Sequence, residues 1–154
     1  AALPGRSAVD PVWLARPEIA VHALGEGLRR LHDALPVAEC PFDWSVDFRL
    51  AYARGEGLSP DPGLAALAPP IDRLVVCHGD ACVPNTLIGE DGRWSGHVDF
   101  GALGVADRWA DLAVATESTE WNYGADWTRE FLAAYGVEQD LERIDYYRAV
   151  WNAT

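Results

Sequence analysis

Lysine and methionine are both missing from this chain of 154 residues. Arginine alone therefore supplies its 12 basic side chains, set against 24 acidic ones for a net charge of −12. An excess of that sign excludes tracking along a nucleic-acid backbone, which needs clustered cations. It favours the approach of a cationic small molecule. No apolar run is long enough for a membrane-spanning helix, and no segment joins a basic start to an apolar middle as a secretory signal does. Cys40, Cys77 and Cys82 are odd in number and lack the spacing of a disulfide framework or a zinc site, so a reducing compartment, the cytoplasm, is expected. With Ala1-Ala2-Leu3-Pro4-Gly5 at its start, the sequence reads as entered in the middle of a domain, as a fragment or a processed product.

What is present suits one folded domain. Apolar residues make up 49% of the chain and seven residues are Trp, enough for a single core. Chemistry concentrates between Val76 and Asp99. A short apolar strand, Leu74 to Cys77, runs into His78-Gly79-Asp80, and Asn85 follows five residues after Asp80. Thr86-Leu87-Ile88 resumes a strand, Asp91-Gly92 signals a tight hairpin turn, and the return strand Arg93 to Val98 ends at Asp99-Phe100-Gly101. Asn85 and Asp99 lie nearly the same distance from the turn, so antiparallel pairing predicts one carboxamide and one carboxylate at the open end of the hairpin. Two such oxygens suit Mg²⁺, which fills its other positions with water and phosphate oxygens. A free carboxylate beside them, Asp80, suits proton removal from an attacking hydroxyl. An Asp, an Asn five residues on and a later Asp-Phe-Gly also match the protein-kinase signature in order and spacing, with Gly79 replacing its Arg. A surface Asp-Asn turn would explain any one of these parts, not their sequence on a strand-loop-strand-turn-strand frame.

Around this run the pattern is mainly helical. Residues 1–16 read as an extended connector broken by Pro4, Gly5 and Pro11. Pro17 suits the first turn of a helix whose apolar positions recur to Leu35, with Pro36 as its stop. His22 and His32 on that helix read as surface or packing histidines. Residues 36–71 are irregular, with a short helix over Val46 to Arg54 and a turn near Leu64 to Leu67; the segment either covers a substrate site or fills packing. Ala102 to Ala106 read as a loop and Asp107 as the N-cap of a helix to about Trp121. Asp111, one turn in, is either an acceptor for the loop around His78 or a solvent-facing carboxylate. Further helices are predicted over Trp127 to Tyr135, ended by Gly136, and over Leu141 to Trp151.

Three stretches together resemble the aminoglycoside phosphotransferases, in particular those that act on the 3′-hydroxyl. They are His78-Gly-Asp80-Ala-Cys-Val-Pro-Asn85, Gly96-His-Val-Asp99-Phe-Gly and Gly104-Val-Ala-Asp107-Arg-Trp-Ala-Asp111-Leu-Ala113. Glu26 to Leu35 resembles that family's first large-lobe helix and Tyr146-Tyr147-Arg148 its last. The likeness implies an α+β fold: the mainly helical C-terminal lobe of a protein-kinase-like enzyme (residues 17–154), with a small β-hairpin carrying the catalytic and metal residues. Residues 1–16 would then be the connector from an N-terminal lobe.

Carried over by position, the resemblance makes Asp80 the catalytic base and Asn85 and Asp99 the ligands of Mg²⁺ on ATP (or GTP). Leu87 and Val98 would lie under the adenine, with the backbone of Ala1, Ala2 and Leu3 as its hinge. His78, Asp107 and Asp111 would support the loop. Glu117, Glu120, Asn122, Asn152 and Thr154 would hold a cationic aminoglycoside, giving antibiotic resistance.

The pattern is departed from at Ala102, where Arg is usual, and at Trp151 and Asn152, where acidic residues are familiar. With no phosphate-covering glycine loop and no strand Lys, the chain alone is expected to be half an active site, inactive in transfer. Its uncovered apolar face would favour self-association. A kinase of another small alcohol and a non-catalytic binding lobe are the alternatives. A hydrolytic metal centre would need more converging ligands.

Overall fold

The computed structural model describes residues 4–124 and 126–154. Two small antiparallel sheets are set against a helical body. The first has the order β1-β3-β4, formed by Arg6–Ser7, Thr86–Ile88 and Trp94–His97. The second pairs β2 (Leu74–Cys77) with β5 (Gly104–Asp107). In the hairpin, Thr86 faces His97 and Leu87 faces Gly96, and a bulge follows before Ile88 meets Trp94. Asp91-Gly92 makes the turn, with Gly92 at φ +80°.

Six helices carry the core: α1 (Pro11–Leu14), α2 (Pro17–Ala34), α3 (Val46–Gly55), α4 (Trp109–Tyr123), α5 (Thr128–Tyr135) and α6 (Leu141–Ala153). Ala20, Val21, Leu24 and Leu28 form the buried stripe of α2, at the spacing of a helix with one apolar face. It packs against α5 so closely that a Cβ on Gly25 would stand 2.6 Å from the Phe131 carbonyl oxygen. Pro36 keeps the chain from continuing the helix. Helix α4 is buried almost all round from Trp109 to Thr119, so it is the axis of the domain. Side chains such as Trp109, Leu112 and Phe131 are fully enclosed, each contributing roughly 1.5–3 kcal/mol by leaving water.

Two predicted segments differ. Residues 1–16 were expected to be extended connector, but Arg6–Ser7 adds a strand to the hairpin sheet and Pro11–Leu14 is helical. Asp10 caps that helix by accepting from the Val12 N–H, and Ala8 and Trp13 enter the core. The expected loop Ala102 to Ala106 is largely strand β5, because it finds a partner in the distant β2, where Leu74 faces Asp107 and Cys77 faces Gly104. The formal N-cap of α4 is Arg108, although Asp107 Oδ1 still accepts from the Trp109 N–H at 3.1 Å.

The irregular segment is anchored to the same strand. Trp44 N–H donates to the Val105 carbonyl at 3.0 Å and Val105 N–H to that of Phe42 at 2.9 Å. This seats Trp44 and the start of α3 beside the loop that follows β2.

Candidate active site

Strand β2 delivers Cys77 into the core, and the chain then turns at Gly79, whose φ is +83°. Any Cβ there would collide with the Ala102 carbonyl; glycine alone fits both the turn and the approach. The turn is clamped from α4. Asp111 Oδ2 accepts the His78 backbone N–H at 2.6 Å and Oδ1 that of Gly79 at 2.9 Å. Only 1% of Asp111 is exposed. Burial opposes its charge, but the hydrogen bonds from His32, Gly79 and His78 outweigh it, and its pKa falls below the ordinary carboxylate value.

The His78 ring ties this turn to the end of the hairpin. Its Nε2 donates to the Val98 carbonyl at 2.9 Å, so Nδ1 is the acceptor for the Asp80 N–H at 3.3 Å. Its face lies 4.7 Å from the Phe100 ring centroid. Asp80 is half-buried and Asn85 meets it directly: Nδ2 donates to Asp80 Oδ2 at 2.9 Å and to the Asp80 carbonyl at 3.0 Å. With its amide nitrogen so engaged, Asn85 keeps its side-chain oxygen Oδ1, an acceptor and potential metal ligand. Val98 N–H donates to the Asn85 carbonyl at 2.9 Å, so Asp99 begins one residue beyond Asn85's partner. Asp99 is exposed and left-handed at φ +65°, the sole non-glycine with positive φ among the described residues. Such strain in a non-glycine residue re-aims its side chain relative to the strand.

The remaining candidates are placed as follows. Leu87 and Val98 are half-buried, and Leu87 lies on the sheet face opposite buried Thr86 and Ile88. Ala1, Ala2 and Leu3 lie outside the described residues. The Asp107 side chain accepts from the Asp72 N–H at 2.8 Å and pairs with Arg143 at 3.4 Å, fixing the entry to α4, while its backbone carbonyl accepts from Cys77 Sγ at 3.5 Å just before the His78 turn. Thr154 lines a cavity of about 250 Å³ beside Asp80. Glu117, Glu120, Asn122 and Asn152 are not in its wall. Glu120 is paired with Arg148 at 2.8 Å, Asn122 donates to the Ser118 carbonyl at 2.8 Å, and Asn152 is exposed. Glu117 has one buried carboxylate oxygen with no hydrogen-bond partner among the described residues.

Two contributors were not picked out from the sequence. His32 is 3% exposed and lies between Asp111, 3.0 Å from Nε2, and the Tyr135 hydroxyl, 2.8 Å from Nδ1. It stands four residues after Leu28 on the apolar stripe of α2, a position that signals burial. Arg49 on α3 is also 3% exposed and lines the cavity. It occupies the inward stripe Val46, Arg49, Leu50, Ala53, where a cation is out of place unless something receives it.

Residues 62–147 match the model of the phosphotransferase enzyme family known as APH. The chain belongs to that family. It is 37% identical to an aminoglycoside 3′-phosphotransferase of Streptomyces fradiae over 96% of its own length and 64% of the relative's. An aminoglycoside-3′-phosphotransferase of type VIII superposes with a TM-score of 0.80 at 29% identity, covering 99% of this chain and 67% of that structure. The aminoglycoside phosphotransferase APH(3″)-Id of Streptomyces rimosus, in complex with ADP and streptomycin, gives 0.75 at 29% identity over 97% and 67%. The chain thus spans just under two thirds of the first of these relatives. Family membership and the α+β lobe agree with the resemblance seen in the motifs. No helix among the described residues is long and apolar enough to cross a membrane.

Proposed function

We propose that this chain is the substrate-side lobe of an ATP-dependent phosphotransferase acting on the 3′-hydroxyl of an aminoglycoside in the cytoplasm. The observation that carries this reading is the contact between Asn85 Nδ2 and Asp80 Oδ2 at 2.9 Å. It orients the carboxylate of Asp80 and leaves the side-chain oxygen Oδ1 of Asn85 to a metal. Asp80 is then the base that accepts the sugar hydroxyl's proton, a role its half-exposed carboxylate beside an open cavity suits.

One carboxamide oxygen from Asn85 and the exposed carboxylate of Asp99 form a hard, all-oxygen donor set, which fits Mg²⁺ better than a softer ion. Bound there, the metal would neutralise charge on the nucleotide's phosphate oxygens. Asp111, through the His78 and Gly79 amides, keeps the loop of Asp80 in place while this happens. Leu87, on the outer face of the hairpin, offers an apolar surface to the nucleotide base. Of the expected substrate contacts, Thr154 lies in the cavity that Asp80 also lines.

The test is phosphate transfer from ATP to kanamycin by the chain joined to an upstream nucleotide-binding lobe. Transfer is expected, with a loss of at least about a hundredfold in Asp80→Ala. Equal turnover in the variant would remove Asp80 from the reaction.

A further inference from the structure

A second cavity, of about 530 Å³, opens at the far end of the β2–β5 pair from Asp80. Leu74 and Asp107, which face each other in the register, both line it, whereas Asp80 follows the Cys77–Gly104 end. The length of β2 separates the two ends by about 10 Å, and no residue lines both cavities. The volume falls within the roughly 300–1,000 Å³ of small-molecule sites. Phe42, Ile71 and Leu74 border it and are 59%, 58% and 50% exposed. Apolar surface is thus gathered in one hollow rather than scattered.

The charges of this wall have one sign. Asp43, Asp47 and Asp107 line it, and no Arg or His does among the described residues. Asp107 is already occupied by the Asp72 N–H and Arg143. Asp43 and Asp47 are exposed and so stand at the rim; Asp43 gives Oδ1 to the Ser45 N–H at 2.7 Å and keeps its other oxygen. Tyr147 belongs to the floor. It is 3% exposed, yet its hydroxyl makes no hydrogen bond among the described residues, whereas that of Tyr146 donates to the Leu64 carbonyl at 2.9 Å. Unlike the sealed indole nitrogens of Trp13 and Trp127, the Tyr147 oxygen is not enclosed by protein, and the cavity is the space it opens to. A buried polar group of this kind calls for a partner. Burial favours the protonated phenol, so it can donate as well as accept.

We propose that this cavity is a second binding site, for a small organic cation whose apolar body carries an ammonium at one end and a hydroxyl at the other. The ammonium lies at the rim beside Asp43 and Asp47, the body against Phe42, Ile71 and Leu74, and the hydroxyl pairs with Tyr147 at the floor. An anion in the same place would meet carboxylates and no cation. The site stands apart from phosphate transfer, and the chain by itself suffices to test it.

Tyramine is the probe, and Cys40, half-buried in the wall, is the reporter. At saturation tyramine is expected to slow alkylation of Cys40 by iodoacetamide at least about fivefold. Cys82, two residues from Asp80, is expected to keep its own rate. 2-Phenylethylamine, which lacks the hydroxyl, is expected to protect with a midpoint about threefold higher. 3-(4-Hydroxyphenyl)propionate, with a carboxylate for the ammonium, is expected to give no protection. Asp43→Asn combined with Asp47→Asn keeps an acceptor for the Ser45 N–H and is expected to raise the tyramine midpoint about tenfold. Tyr147→Phe keeps the ring and is expected to make tyramine and 2-phenylethylamine equal. Buried Cys77 stays unlabelled in any variant that remains folded, and should one variant unfold, the other decides. Cys40 left unprotected, Cys82 protected as strongly, protection by the carboxylate, or a folded variant with unchanged midpoints would each overturn the proposal.

Discussion

Asn85 and Asp80 hold each other through two hydrogen bonds from a single amide nitrogen, to the side chain at 2.9 Å and to the backbone carbonyl at 3.0 Å. The same residue therefore fixes the direction of one candidate group and presents its own oxygen for another task. Asn85→Ala removes both. Transfer is expected to fall about a hundredfold or more, since small misplacements of a reacting group cost that much. The Mg²⁺ concentration for half-maximal rate is expected to rise in the same titration. A rate loss with unchanged Mg²⁺ dependence would leave Asn85 as a positioning residue only.

Gly79 is the hinge of the loop. Substitution by Ala forces a side chain into left-handed backbone, costing about 1–2 kcal/mol, and adds a collision with the Ala102 carbonyl. Gly79→Ala is expected to lower stability by roughly 3 kcal/mol in all, read as a shifted urea midpoint. Gly57, also at positive φ but with open space around its Cβ position, is expected to lose only the backbone part.

Asp111 couples stability to acid. Its folded pKa lies below the ordinary value, against burial and through the bonds from His32, Gly79 and His78. The stabilisation is therefore complete above an unfolded pKa of about 3.9 and is lost as pH falls through the lower folded value. Asp111→Asn offers an N–H₂ toward backbone donors that need an acceptor. At neutral pH it is expected to cost about 3 kcal/mol, and its stability is expected to change less than the parent's below about pH 4.

His97 acts in a different window. Burial pushes its pKa down to about 4, so the fold holds it neutral while the unfolded chain takes up a proton below about 6.5. Stability is thus expected to fall as pH drops from about 6.5 to about 4, by roughly 3 kcal/mol in the limit. His97→Gln is expected to flatten that part of a stability–pH profile, and an unchanged slope would assign the loss to other groups.

The motifs made the hairpin and its turn legible because both are local: Asp91-Gly92 closes the turn, and the register that sets the Val98 N–H on the Asn85 carbonyl follows. Helix α2 was bounded by Pro17 and Pro36 for the same reason. Strand β5 was not legible. Gly104-Val-Ala-Asp107 is short, only Val105 has strong strand preference, and the partner lies across an intervening loop and hairpin. Residues 6–14 were obscured by Pro4, Gly5 and Pro11, which mark breaks without telling that the pieces between them pack. His32 and Arg49 were written in the sequence as polar residues on apolar stripes. Their partners, Asp111 and the cavity beside Asp80, come from distant segments and are visible only once the chain has folded.

The bond from the Tyr135 hydroxyl to His32 continues through Asp111 to the amides of His78 and Gly79. Four segments of chain are strung on that line, and its far end rests in the interface between α2 and α5. The firmness of the loop is consequently borrowed from the interior. A change that loosens the seat of Tyr135 can be felt at Asp80 even though the two share no surface.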